Sequence, residues 1–164
     1  MNVLLFGATG MVGDGVLHEC LADSRVTAVL AVGRSPLGMT HSKLHESRRT
    51  DFLDYSDLAG ELKRIDACFF CLGVSAAGML LALPLKAFMF RPGFIRPRPG
   101  KASKTLLYRA IYAFAAPLYP LLKLVAGKHV TTTENLGRAM IAVATVGYSK
   151  RILENPDINS LGGG

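Results

Sequence analysis

The sequence predicts an α/β fold in which three layers, α/β/α, enclose a mostly parallel sheet. Three observations predict it: a short apolar run at the start ends in glycine, a helical apolar stripe follows, and a second apolar run comes next. Strand, helix and strand in that order close as a right-handed parallel crossover. At 164 residues the chain is long enough for one domain with a sizeable core and short for two. Apolar residues make up 50% of it and charged residues 19%, which excludes the disordered and fibrous classes.

Val3, Leu4, Leu5 and Phe6 form the first run, so residues 2–6 read as a buried strand that Gly7 ends. Val12, Val16, Leu17 and Leu21 recur at helical spacing, which predicts a helix over 11–22 with one face on the sheet. Residues 26–32 read as the second strand, stopping at Gly33-Arg34-Ser35-Pro36. A polar connection over 36–47 leads to a third strand around 49–53, and Ser56 is placed to cap a helix reaching Arg64. Residues 66–71 read as the fourth strand and 87–90 as the fifth, running into Arg91-Pro92-Gly93. Between those two, 75–86 supports half a helix at most.

Beyond Pro92, Pro97 and Pro99, Ser103 can cap a helix carrying Leu106, Leu107, Ala110, Ile111 and Phe114, which Pro117 and Pro120 kink or end. Residues 133–146 read as a further helix, with no acid at Leu136 to complete a capping box behind Thr133, and 151–153 as a last short strand. We therefore expect one domain over 1–158, with a nucleotide-binding half at 1–79, a second half at 80–158, and a flexible tail at 159–164.

Gly7-Ala8-Thr9-Gly10-Met11-Val12-Gly13 lies between the first strand and the first helix, the context that gives a glycine pattern meaning. A missing Cβ at Gly7 permits a tight turn, at Gly10 it lets backbone approach a pyrophosphate, and at Gly13 it lets helix pack on strand. The helix N-terminus offers unpaired N–H groups and partial positive charge to phosphates. The domain is accordingly Rossmann-like, the competing reading being a glycine-rich connection without a ligand. An acid closing the second strand would bind the ribose 2′-hydroxyl of NAD, but Arg34 and Ser35 stand there. Arg34 suits a 2′-phosphate, so NADP is favoured with NAD as the alternative; the plainer reading of Arg34 is an exposed loop arginine.

The ordered set GATGMVG, the strand-end arginine, Asp51-Phe52, CFFCLGVS and FRPGFI resembles the short-chain dehydrogenase/reductase superfamily. It is most similar to an atypical branch of NAD(P)-binding, epimerase-like proteins related to the Tat-interacting oxidoreductase. The resemblance spans nearly the whole chain. It implies that Asp51 and Phe52 lie beside the adenine, that Leu72, Gly73 and Val74 lie beside the ribose and pyrophosphate, and that Pro92 and Gly93 approach the nicotinamide. Core packing is the other reading of Phe52 and Leu72, and an ordinary turn that of Pro92-Gly93.

Relative to that family the chain is incomplete. Gly78-Met79 runs directly into Leu80-Leu81-Ala82-Leu83-Pro84, as though an internal deletion joined two pieces near 79–80. The segment passed over carries the family's Tyr-x-x-x-Lys pair, whose tyrosine exchanges a proton with the substrate oxygen. Tyr119 and Lys123 have the spacing, but Pro120 stands between them and they follow the FRPGFI run, so we read them as coincidence. No catalytic residue is assigned.

The remaining features narrow the setting. Cys20, Cys68 and Cys71 are an odd number behind no secretory leader, which fits a reducing cytoplasm. The longest apolar stretch, 110–122, is broken by two prolines and predicts no membrane span. Residues 1–79 carry a net charge of −2 and 80–164 of +9, yet without basic clusters or interleaved aromatics the pattern argues against nucleic acid. Cys68 and Cys71, three apart on a strand, point to opposite faces, and His18, His41, His45 and His129 lack ligand spacing, so no metal is expected. The 104–126 region suits burial, or contact with a membrane surface, and apolar area uncovered by a deletion would favour self-association. Function then divides between an oxidoreductase-like protein for a small carbonyl, alcohol or sugar-like substrate and a dinucleotide-binding regulator or interaction protein without turnover.

Overall fold

The computed structural model describes residues 1–52, 54–72, 86–98 and 130–163. The chain divides into two compact units, Met1–Leu72 and Gly73–Gly164. The helices expected within 75–86 and 103–117, and the 104–126 ambiguity, lie outside the described residues.

In the first unit, strands β1 (Asn2–Phe6), β2 (Ala28–Gly33), β3 (Leu44–Arg48) and β4 (Ala67–Phe70) form one parallel sheet in the order β3-β2-β1-β4. Register sets Phe6 opposite both Val32 and Phe70. Alternation then sends Val3, Leu5, Val29 and Ala31 to one face, where helix α1 (Met11–Ala22) buries Val16, Leu17, Cys20 and Leu21. The opposite face carries a second cluster of Leu4, Leu30, Val32 and Leu58, with Phe6, Phe52, Tyr55, Leu62 and Ile65 packed against it. Full burial of each Val or Leu side chain among these contributes about 1.5–3 kcal/mol. Helix on sheet on helix is the three-layer arrangement expected, on a partial Rossmann-like scale.

Strand β3 corrects the expected placement at 49–53. It lies inside the stretch read as a polar connection, because an edge strand buries little and shows no apolar run: only Leu44 and Ser47 of LHESR are even half-buried. Its pairing rests instead on backbone, with Leu44 to Arg48 in register with Val29 to Gly33. The helix expected from Ser56 to Arg64 is shorter and split into a 3₁₀ turn, Ser56–Leu58, and one α-turn, α2 (Ala59–Leu62). Asp54, not Ser56, supplies the local side-chain acceptor, taking the Ser56 N–H at 2.9 Å.

Arg49 ties β3 to this turn. Its Nη2 donates to both oxygens of Asp57, its Nη1 to the Asp54 carbonyl at 2.6 Å and its Nε to Ser47 Oγ at 3.2 Å. The guanidinium also lies 5.1 Å from the Tyr55 ring centroid. Arg49 holds the Asp57 carboxyl below its ordinary range, by hydrogen bonding first and charge second.

The second unit contains two parallel strand pairs among its described residues, β5 (Met89–Arg91) with β8 (Ile152–Glu154) and β6 (Phe94–Arg96) with β7 (Val130–Thr132). The expected fifth strand is thus shifted to 89–91, and β6 was hidden because Pro92-Gly93 read as a turn that ended the run. Helix α3 (Thr133–Val146) begins where expected, but its cap is Thr132, whose hydroxyl accepts the Asn135 N–H at 3.1 Å. It buries Leu136, Ala139, Met140, Ile141 and Val143.

Helix α4 (Asn155–Gly162) occupies residues read partly as a flexible tail. Its few apolar positions hid it, yet Ile158 and Leu153 are fully buried, and Pro156 with a Glu154/Asp157 capping box starts it. Thr131 Oγ1 donates to Asn159 Oδ1 at 2.7 Å and Asn159 Nδ2 to the Val130 carbonyl at 2.9 Å, fastening α4 to β7.

Asp157 also accepts from Lys150 Nζ at 2.7 Å and the Tyr148 hydroxyl at 2.8 Å. Lys150 first, then Tyr148 and the Glu154 N–H, hold its carboxyl below the ordinary range. A depressed carboxylate stabilises the fold above its unfolded pKa, and that contribution disappears as pH falls through the folded pKa. We expect Asp157→Asn to lower Tm at neutral pH, and the gap to wild type to close on acidification below the ordinary aspartate range. A gap constant from neutral to acidic pH in a thermal-melt series would count against this role.

Candidate functional site at the carboxyl edge of the sheet

In a parallel sheet all carboxyl ends face one edge, where open α/β sheets take their ligands. At that edge β1 passes into the glycine turn. Gly7 has φ +82°, and a Cβ there would stand 2.7 Å from the Cys71 carbonyl oxygen at the end of β4. The Gly10 N–H closes the turn on the Gly7 carbonyl at 2.9 Å. Gly13 packs the first turn of α1 onto that same carbonyl, since an added Cβ would come within 2.1 Å of it. Ala8 is buried, Thr9, Met11 and Val12 are half-buried and Gly10 is exposed.

Helix α1 starts at Gly10 with no side-chain cap. Its first N–H groups lack helical acceptors, and the helix dipole adds positive potential there. In its first turn Asp14 is buried, with His18 Nδ1 2.8 Å from its carbonyl and 3.8 Å from its carboxylate. Sequence reading passed over this pair, whose i,i+4 spacing was the available signal.

One strand over, Arg34 and Ser35 follow Gly33 and are both exposed. The Gly33 carbonyl accepts the Arg49 N–H at 3.0 Å, and Glu46 Oε2 accepts the Leu37 N–H at 3.2 Å, so the 34–37 segment is fastened to β3. Asp51 is exposed, and Phe52 packs against the Leu4, Leu30, Val32 and Leu58 cluster. Leu72, two residues past the end of β4, is 40% exposed, and its backbone nitrogen stands 3.2 Å from where a Gly7 Cβ would be. Gly73 and Val74 lie outside the described residues. Pro92 and Gly93 belong to the second unit, where the Gly93 N–H donates to Asn155 Oδ1 at 2.8 Å and Arg91 pairs with Glu154 at 3.4 Å.

The structure thus brings together Gly7 to Gly13, Arg34, Ser35 and Leu72 on one edge of the first unit. This edge offers backbone donors and the Arg34 guanidinium to an anionic ligand. Burial pushes the Cys20 and Cys71 thiols up to about 12, which leaves them protonated and poor nucleophiles. Among the described residues no three His, Cys, Asp or Glu side chains gather to hold a metal, and no helix is long and apolar enough to cross a membrane.

No protein-family model matches the chain, and no curated protein matches it. Among solved structures it is similar to the reductase domain of PhqB from Penicillium fellutanum, with a TM-score of 0.56 at 14% identity, covering 93% of this chain and 66% of that one. The chain therefore spans just under two thirds of that domain, and the likeness shows a shared fold. MoeE5 in complex with UDP-glucose and NAD aligns with a TM-score of 0.49 at 19% identity over 94% of this chain and 75% of that one. A short-chain dehydrogenase family protein from Francisella tularensis aligns at 0.34 and 15% identity, over 98% and 88%.

Proposed function

We propose that the chain binds an NADP-type dinucleotide, with the pyrophosphate on the 7–13 turn and the 2′-phosphate at Arg34 and Ser35. The observation that carries this reading is the glycine cradle. A Cβ at Gly7 or Gly13 would collide with backbone, and Gly10 leaves the helix start free of a competing side chain. Those features suit a ligand whose phosphates accept from backbone N–H groups. On the same reading Asp51 and Phe52 border the adenine and Leu72 follows the ribose and pyrophosphate.

A bound nicotinamide would supply hydride transfer to a small carbonyl, alcohol or sugar-like substrate. The chain's own contribution in this scheme is to bind and orient. Of the described tyrosines, Tyr148 is engaged by Asp157, whose carboxylate pushes the phenol up and away from a proton-exchanging role near neutral pH. A second reading, a dinucleotide-binding regulator without turnover, is distinguished from the first by whether bound cofactor is oxidised. We place the protein in the cytoplasm, consistent with its three free cysteines.

Fluorescence titration with NADPH and NADH tests the binding, and cofactor oxidation across a carbonyl panel tests turnover. Loss of both binding signals sinks the proposal, while binding without oxidation selects the regulator. Arg34→Asp should weaken NADPH by about tenfold or more, through lost charge-assisted bonds and added repulsion, with NADH changed far less. Equal weakening of both would remove the 2′-phosphate assignment.

A further inference from the structure

We propose that Arg48 is the second cation of a two-arginine phosphate clamp with Arg34, and so helps decide between NADPH and NADH. The inference rests on the dinucleotide-binding reading above and adds a specificity residue to it. Arg48 and Arg49 are adjacent in sequence, and the pleat gives them opposite roles. Ser47 stands opposite Val32, on the face of the second apolar cluster, and the Arg49 side chain follows Ser47 to that side, as its bonds to Ser47 Oγ and Asp57 and its stacking on Tyr55 require. Alternation therefore turns Arg48 to the other face, the one that α1 covers and whose edge carries the start of that helix.

Register completes the placement. Arg48 pairs with Gly33, so its Cα sits on the neighbouring strand, about 5 Å away, beside the residue that leads into Arg34. The Glu46 carboxylate, on Arg48's face of β3, takes the Leu37 N–H and folds the Arg34 loop back over this strand end. Arg48 is exposed and, among the described residues, neither it nor Arg34 has an acidic partner within ion-pair distance. Arg49, by contrast, is fully committed to Asp57, Asp54 and Ser47. Two uncommitted guanidiniums at one strand edge, on the side of the uncapped helix, match a dianionic phosphate that either alone would only half neutralise.

The test compares Arg48→Ala and Arg49→Ala with the unmodified protein, titrating each with NADPH and NADH and checking fold by circular dichroism and Tm. We expect Arg48→Ala to weaken NADPH by about tenfold with NADH within about twofold and Tm unchanged. Arg49→Ala should lower Tm and leave the NADPH/NADH ratio as it was. An unchanged ratio in Arg48→Ala, with NADPH still bound, overturns the clamp while leaving dinucleotide binding intact. If the unmodified protein binds neither nucleotide, both the clamp and the reading beneath it fall.

Discussion

Gly13→Ala should destabilise the first unit by about 3 kcal/mol or more and abolish the dinucleotide binding proposed for it. The cost follows from geometry: the new methyl would sit 2.1 Å from the Gly7 carbonyl oxygen and 2.6 Å from its carbon, and these are backbone atoms that no rotamer change can move aside. Either α1 lifts from β1, opening the Val3, Leu5, Val16 and Leu17 layer, or the turn deforms and misdirects its N–H groups. Both outcomes remove the phosphate cradle. Gly60→Ala is the matched control, because a Cβ there meets nothing within 4 Å and Ala favours the helix of α2. Urea melts of the two variants, read beside NADPH titration, check the contrast. A Gly13→Ala protein that melts and binds like wild type would show that helix and strand do not meet at this point.

Gly162→Ala should produce a comparable loss in the second unit. Its Cβ would lie 2.0 Å from the Asn135 carbonyl oxygen and 2.8 Å from the Asn135 Cα, so the end of α4 and the start of α3 touch backbone to backbone. Adding a methyl forces the helices apart where Asn135, Asn159 and Thr131 join them, at a cost of about 3 kcal/mol. We expect a lower denaturation midpoint with little change in m. An unshifted midpoint would mean that this contact is dispensable.

These two glycines also mark how far the sequence could be read. Gly13 was legible because it recurs at fixed spacing from Gly7 and Gly10 between an apolar strand and an amphipathic helix, and the structure puts all three in contact with one turn. Gly162 was illegible: in a Gly-Gly-Gly ending it resembles slack chain, and its partner Asn135 is 27 positions away. The same division holds elsewhere. β1, α1 and α3 announce themselves by buried apolar periodicity and β4 by its short apolar run, whereas β3 is an edge strand with half-buried Leu44 and Ser47 and charged neighbours. Its presence depends on pairing with β2, a tertiary fact that no local pattern encodes.

Within the proposed site, the Gly7 to Gly13 turn is readable from glycine spacing between strand and helix, and Arg34 from its place after the second strand. Arg48 was not, because the strand carrying it was placed five residues too late. That shift put both arginines on the wrong side of the strand boundary and concealed that one is structural and the other uncommitted. Phe52 shows where residue type stops deciding: the resemblance implies a ligand contact, and the side chain packs against the Leu4, Leu30, Val32 and Leu58 cluster. An aromatic at a sheet edge can serve either purpose, and its residue type does not separate them.

The bare glycine at the head of α1 has a consequence for the protein's life in a cell. A serine or aspartate there would complete the helix at all times, adding about 1 kcal/mol whatever the surroundings. With Gly10 no side chain completes it, and on the proposed reading a nucleotide's phosphates would; a ligand that binds only the folded chain stabilises it in proportion to the logarithm of its supply. If the proposed binding holds, abundance of this chain would follow the nucleotide pool: copies made in times of plenty would persist, and copies made in scarcity would be the first to be degraded.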